Sequence, residues 1–151
     1  MSAMKLLKNI IGGLAGAAAL NLLHETARHF DPETPRVDLI GEEALSKGLK
    51  TLGAQPPTGN ALYAATLAAD LLSNSFYYSF IDAGKKKYLV LRGLAYGAAA
   101  GIGALKLTEP LGLSDAPVTR TEQTQLLTVA FYTFGGLVTA LVIKSLRNKK
   151  A

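Results

Sequence analysis

The sequence has no cysteine, no tryptophan and only two histidines. Without cysteine, the chain has no disulfide, thiolate metal site, iron–sulfur cluster or cysteine nucleophile. The two histidines, His24 and His29, lie in the stretch "NLLHETARHF". Zinc proteases instead use His-Glu-x-x-His, which places both rings on one helical face. A spacing of five residues turns a helix by roughly 140°, so this pair cannot chelate one ion. We therefore expect no metal, no cofactor and no catalytic residue.

Charge is also scarce. Charged residues make up 18% of the chain and hydrophobic residues 49%, whereas soluble domains have about 25% charged residues. Four apolar stretches are long enough to cross a bilayer, at about residues 4–27, 59–82, 88–108 and 123–145. Soluble helices would each need a polar face, and the last stretch has no charged residue over residues 123–143. The sequence thus predicts an all-α integral membrane four-helix bundle, as a single transmembrane domain over residues 1–151.

The placement of charges predicts the orientation of this bundle. With the amino terminus in the cytoplasm, the cytoplasmic pieces hold 10 of the 16 basic residues and one acid, Asp82. These basic residues are Lys5, Lys8, Lys85, Lys86, Lys87, Arg92, Lys144, Arg147, Lys149 and Lys150. The positive-inside rule therefore places both termini in the cytoplasm, and we expect a bacterial inner membrane. The net charge of +5 then serves orientation and contact with anionic lipid, and we expect no nucleic-acid partner.

The segments outside the apolar stretches add local predictions. Lysines before the first apolar run also fit a cleaved signal peptide, but we expect a retained first span. The first outer loop, residues 28–58, is broken by Pro32 and Pro35. Leucines at positions 45, 49 and 52 then predict a short amphipathic helix over about residues 39–52. Asn60 is the expected cap of the second span, and Thr121 or Thr124 the start of the fourth.

Small residues recur at helical spacing along the predicted spans. In lipid, such ridges let helix backbones approach closely, because apolar burial no longer drives association. The clearest ridge on the third span consists of Gly93, Gly97 and Gly101. Contacts within one bundle are the simpler interpretation, and an interface with another subunit is the alternative. The bilayer is the expected partner, together with a homo-oligomer or a larger membrane complex.

Polar residues at membrane depth form the candidate site. Asp70 lies near the middle of the second span, where a carboxylate costs about 2.5–3.5 kcal/mol on insertion scales. The site comprises Asn21, His24, Glu25, Arg28, Tyr63, Thr66, Asp70, Asn74 and Tyr77. Helical offsets place them along facing stripes of the first two spans, with Glu25 and Arg28 as an ion pair at the outer rim. They either lock the helix register, carry protons or ions through His24 and Asp70, or bind a ligand or lipid headgroup. Haem ligation by a histidine is a further alternative.

Three functions are consistent with these features. The absence of a reaction motif favours a non-catalytic accessory, assembly or scaffold subunit of a membrane complex. The alternative is a small oligomeric transporter or channel that uses Asp70 and Asn74 with His24. The second alternative is a membrane-embedded lipid-modifying enzyme with His24, Glu25 and Asp70 as acid and base candidates. The sequence favours a protein that is not an enzyme.

Overall fold

The computed structural model describes residues 2–148, and all regular secondary structure in that range is helical, without a strand. Its α-helices are α1 (Ala3–Ala27), α2 (Val37–Thr51), α3 (Gly59–Ser79), α4 (Leu89–Lys106), α5 (Ala116–Thr119) and α6 (Glu122–Asn148). Two short 3-10 turns, Phe80–Asp82 and Lys86–Tyr88, connect α3 to α4. The predicted all-α fold is confirmed. Lys149 and Lys150, which contributed to the predicted charge bias, lie outside the described residues.

Three helical stretches are long and apolar enough to cross a membrane. They are Ala3–Ala27, Lys86–Lys106 and Glu122–Asn148. The helix α3 coincides with the predicted second span but is not one of the three. Its polar residues, Asp70 and Asn74 among them, lower its hydropathy. Length and composition therefore support membrane spanning directly for three of the four predicted segments.

Local signals in the sequence place most helix boundaries within a few residues. The amphipathic helix predicted over 39–52 is α2, whose leucine side faces the bundle only in part, since none of its residues is fully buried. Thr121 begins α6 as predicted, because its Oγ1 accepts from the backbone N–H of Thr124 at 3.0 Å. At α3, however, Thr58 and not Asn60 occupies the N-cap position. The extended backbone of Thr58, with φ −128° and ψ 162°, ends the irregular segment before the helix.

The four long helices run up and down in alternation. Gly13 of α1 lies against Ser75 of α3, and Gly12 lies against Ile143 of α6, so α1 is antiparallel to both helices. The helix α4 is antiparallel to α6, since Gly93 and Gly101 lie beside Gly136 and Val129. Residues 2–8, 80–88 and 144–148 thus share one end, called here the terminal end. Residues 28–58 and 107–121 share the other, called the loop end.

Glycines allow α4 to touch the backbone of α6. A Cβ atom added at Gly97 would lie 2.5 Å from the carbonyl oxygen of Tyr132 and from the Cα atom of Thr133. At Gly93, such an atom would lie 2.6 Å from the carbonyl oxygen of Gly136. The ridge of Gly93, Gly97 and Gly101 therefore packs against α6 of the same chain and is covered there. In this position it does not serve as an interface with another subunit.

An ionic cluster joins three elements at the terminal end. The Asp82 side chain is fully buried, and its Oδ2 accepts from Arg147 of α6 at 2.5 Å. Lys5 of α1 lies 3.9 Å from the same oxygen. The Asn9 amide, oriented with its nitrogen toward Asp82, donates to that oxygen at 2.8 Å. A buried carboxylate needs such partners because burial removes its hydration. This cluster was not predicted from the sequence. From the sequence, Asp82 was identified only as the single acid among the predicted cytoplasmic charges.

Replacing Gly97 by alanine should destabilise the bundle by about 1–3 kcal/mol, because the added methyl group meets backbone atoms that cannot rotate away. The matched control is Gly103→Ala on the same helix, where the nearest atom would be Leu107 Cδ1 at 3.7 Å. That change should be neutral or stabilise by up to about 1 kcal/mol. Thermal unfolding in detergent measures both variants. Equal midpoints would contradict a tight contact between α4 and α6.

Replacing Arg147 by methionine should destabilise the protein by about 3–5 kcal/mol, because it leaves the buried Asp82 carboxylate with too little compensation. The control is Lys144→Met on the exposed side of α6, which should change stability by no more than about 0.5 kcal/mol. Combining Arg147→Met with Asp82→Asn should restore part of the loss, since an amide needs no cation. Denaturant unfolding of the unmodified chain, the Arg147→Met and Asp82→Asn single variants, their double variant and the Lys144→Met control gives the comparison. Additive effects of the two substitutions would show that this ion pair is not coupled.

Candidate functional site

A cavity of about 40 Å³ lies between α1, α2 and α3 near the loop end. We call it the polar cavity. Its polar lining consists of Asn21, His24, Glu25, Arg28, Asp38, Tyr63, Thr66 and Asp70. One water molecule needs at least about 10–15 Å³ of such space, so the cavity has room for a few. The structure thus brings together seven of the nine predicted site residues, and it adds Asp38 from α2.

The other two predicted site residues lie deeper along α3. Asn74 does not line the cavity but contacts Asp70, which does: its Nδ2 donates to Asp70 Oδ1 at 2.9 Å. Tyr77 lies closer to the terminal end, where α4 faces this side of α3. Its hydroxyl donates to the carbonyl oxygen of Tyr96 at 2.9 Å. Tyr77 therefore joins α3 to α4 and does not reach the polar cavity.

An ion cluster forms the mouth of the polar cavity. The expected pair of Glu25 and Arg28 is present at 2.7 Å, and Arg28 also lies 3.4 Å from Asp38. Arg36 contacts the same Asp38 carboxylate at 2.6 Å. Burial of Asp38 opposes its ionisation, but the hydrogen bond from Arg36 and the charges of Arg36 and Arg28 outweigh it, and its pKa lies below the ordinary value. Two acids and two bases thus balance one another at the mouth.

Two side chains that line the polar cavity, His24 and Thr66, each have a buried polar atom without a partner among the described residues. His24 is buried and its Nδ1 lies 3.0 Å from the carbonyl oxygen of Leu20. Its ring meets the ring of Phe131 edge-on, with centroids 5.0 Å apart. Among the described residues, neither His24 Nε2 nor Thr66 Oγ1 has a hydrogen-bond partner. His24 lies on the buried face of α1 that also carries Gly16, Ala17 and Leu20.

The two histidines of the opening motif point to different environments. His24 is buried against α6, whereas His29 is exposed and its Nδ1 lies 2.6 Å from the carbonyl oxygen of Glu25. His29 lies two residues beyond the end of α1, so the two rings do not share a helical face. Within residues 2–148, no three histidine, cysteine, aspartate or glutamate side chains cluster as a metal ion would require.

Asp70 also lines a second cavity, on the α4 side of α3. This space of about 230 Å³ lies beneath α2 and the 107–113 segment. We call it the apolar cleft. Its apolar walls include Val37, Ile40, Ala104, Leu107, Leu111 and Leu113, with Tyr132 among the other lining residues. The sequence did not predict this cleft, because it forms only where α2 and the second long loop meet α4. Asp70 is thus shared by a polar cavity and an apolar cleft.

Contacts between the two long loops hold α2 over both cavities. Glu43 Oε2 accepts from the backbone N–H of Ser114 at 2.9 Å, and Lys47 Nζ donates to the carbonyl oxygen of Gly112 at 2.5 Å. Against α3, a Cβ at Gly41 would lie 2.6 Å from Thr66 Cγ2. Close approach at Gly41 brings α2 directly onto the polar cavity, and the loop contacts fix it there.

The segment before α2 is tied to the start of α6 in the same way. Glu33 Oε2 accepts from the hydroxyls of Thr121, at 2.5 Å, and Thr124, at 3.1 Å. Arg120 donates to the carbonyl oxygen of Thr34 at 2.9 Å. The backbone N–H of Arg36 donates to the carbonyl oxygen of Pro117 at 3.0 Å. The two loops therefore form one connected cap over the loop end.

Comparisons of the chain with protein-family models, with curated proteins and with solved structures found no match.

Proposed function

We propose that the chain is a non-catalytic accessory or scaffold subunit of a membrane complex, with four transmembrane helices. The inclusion of α3 as a span is supported by its packing. Its 21 residues extend for about 31 Å, close to the hydrocarbon thickness of about 30 Å. It also runs antiparallel to α1, from the level of Ser75 beside Gly13 to Thr66 and Asp70 across from Asn21. When α1 crosses the bilayer, α3 crosses with it.

The proposed orientation places the terminal end in the cytoplasm, in a membrane that follows the positive-inside rule, such as the bacterial inner membrane. Support comes from the lysines of the 3-10 turn, Lys86 and Lys87, which share the terminal end with Lys5 and Lys144. The loop end instead mixes bases with acids, many of which are paired. Such an asymmetry orients helices during insertion.

The observation that carries the proposed function is the packed core on the terminal side of the polar cavity. On its terminal side, the interior is occupied by one contiguous buried cluster that includes Leu20, Tyr78, Ile81, Phe131 and Ile143. Polar side chains that end against such a core fit a role in fixing helix register better than a conduit. The cavity of about 40 Å³ is also far smaller than the roughly 300–1,000 Å³ typical of small-molecule sites. This weighs against the lipid-modifying enzyme.

A small transporter is the second candidate, and one observation favours it. Asp70 lines both the polar cavity and the apolar cleft, and Val37 and Gly41 of α2 also line both of them. A carboxylate that two compartments share is the kind of group through which alternating access operates. The two candidates differ in what Asp70 does. In a scaffold it locks the contact of α1 with α3, and in a transporter it binds and releases a substrate.

The proposed topology predicts which positions a membrane-impermeant thiol reagent reaches from each side. Since the chain contains no cysteine, single substitutions give an unambiguous signal. Lys8→Cys and Lys86→Cys should be labelled only from the cytoplasmic side, and Lys50→Cys only from the opposite side. Buried Thr128→Cys is the control that should stay unlabelled in intact membranes. Labelling of positions 8 and 86 from opposite sides would contradict the four-span arrangement.

The proposed accessory role predicts that the chain is extracted from its native membrane in an assembly heavier than its own 15.9 kDa. Native mass spectrometry after mild detergent extraction measures this mass, and Asp70→Asn should leave the assembly intact. Purified protein in liposomes should conduct no flux of protons, sodium or ammonium above empty vesicles. A lone monomer, together with a flux that Asp70→Asn abolishes, would replace the accessory role by the transporter.

A further inference from the structure

Asp70 is the one carboxylate on the polar cavity that no cation neutralises among the described residues. Glu25 and Asp38 share Arg28, and Asp38 also contacts Arg36. Asp70 instead interacts with the neutral amides of Asn74 and Asn21. These amides donate hydrogen bonds but leave the negative charge uncompensated. Asp70 is half-buried, and a carboxylate with reduced hydration is unfavourable unless a cation joins it or it is protonated.

Two further side chains that line the same cavity, His24 and Thr66, have an acceptor atom without a partner among the described residues. The carbonyl oxygen of Leu20 can only accept, so His24 Nδ1 carries the proton of the neutral ring and Nε2 is an acceptor. His24 and Thr66 are 6% and 4% exposed, and both His24 Nε2 and Thr66 Oγ1 lack a partner. With the Asp70 carboxylate, the cavity therefore presents three kinds of acceptor and one uncompensated charge. A primary ammonium group, with three N–H donors and one positive charge, matches this set.

The apolar cleft gives the rest of such a molecule a place. It begins at the same Asp70 side chain and is walled mainly by aliphatic residues, among them Ile40, Ala104 and Leu113. Leu107 and Leu111 are 59% and 71% exposed, so the cleft opens at the loop end. A bare inorganic cation would use only the polar side of Asp70. An alkyl chain attached to the cation would also cover the aliphatic walls and so remove apolar surface from water.

We propose that Asp70 binds the ammonium group of a primary alkylamine whose alkyl chain lies in the apolar cleft. The ammonium group donates to Asp70 on the cavity side, with His24 Nε2 and Thr66 Oγ1 as further acceptors. The apolar cleft selects the length of the alkyl chain, and Asp70 selects the positive charge. This site does not depend on the accessory role, and its absence would leave that role untouched.

The test is calorimetric titration of the purified full-length chain, in detergent, with ammonium, methylammonium, propylammonium and butylammonium chloride at constant ionic strength. Affinity should rise about fourfold per added methylene group, as expected when a methylene leaves water. Butan-1-ol, of equal chain length but without charge, should not bind. Asp70→Asn should weaken butylammonium binding at least tenfold, and circular dichroism verifies that this variant is folded.

A second pair of variants tests the cleft separately from the charge. Ala104→Leu fills the cleft, so it should abolish the dependence on chain length and retain binding of ammonium itself. Ala99→Leu lies on the exposed side of the same helix and should behave like the unmodified chain. Equal affinity for ammonium and butylammonium in the unmodified chain, or butylammonium binding that Asp70→Asn does not change, would overturn the proposal. So would the absence of saturable binding, since the cavity would then hold water only.

Discussion

The contact of α6 with α1 and α4 is the constraint on which the other features depend. Glycines bring these helices so close together that Gly97 lies against the backbone of Tyr132. In the same way, Gly16 lies against the carbonyl oxygen of Gly135. In a bilayer, such close approach replaces the hydrophobic effect as the source of helix association. It also fixes the rotation of α1, because the glycine face must turn toward α6. With that face occupied, His24 points inward, and Glu25 and Arg28 face α2 and α3, where the polar cavity forms.

Asp82 and Asp70 both have carboxylates with reduced hydration, but among the described residues only Asp82 is paired with cations. Asp82 is fully buried at the terminal end, where Arg147 and Lys5 approach one of its oxygens. Asp70 lies in the middle of α3, where its described partners are amides. A carboxylate paired with cations holds elements together, because separating them would leave charges without partners. A carboxylate without a cation keeps the capacity to take one. Asp82 therefore serves the architecture of the bundle, and Asp70 is the group that remains available for chemistry.

Helical periodicity was sufficient to predict one half of the candidate site. Thr66, Asp70 and Asn74 recur at the spacing of one helical turn, so their shared face follows from the sequence alone. Asp38 and the apolar cleft were not predictable in this way. They depend on where α2 comes to lie, and that position is set by contacts such as Glu43 with Ser114 and Glu33 with Thr121, which join residues far apart in the chain. Asp82 was missed for a related reason, since its partner Arg147 belongs to the last helix.

The composition of α3 and the position of the two cavities have one physical cause. A helix that faces lipid on one side and packed core on the other is apolar all round, as α6 nearly is over its central turns. The helix α3 has a further neighbour, the α2 helix, which covers its loop-end half and leaves a cavity on each side of Asp70. Polar side chains are tolerated there because they face protein, namely the cap and the ion cluster at the mouth of the polar cavity. The same residues lower the hydropathy of α3 below that of the other long helices. The low hydropathy of α3 therefore reflects the polar side chains that line the two cavities.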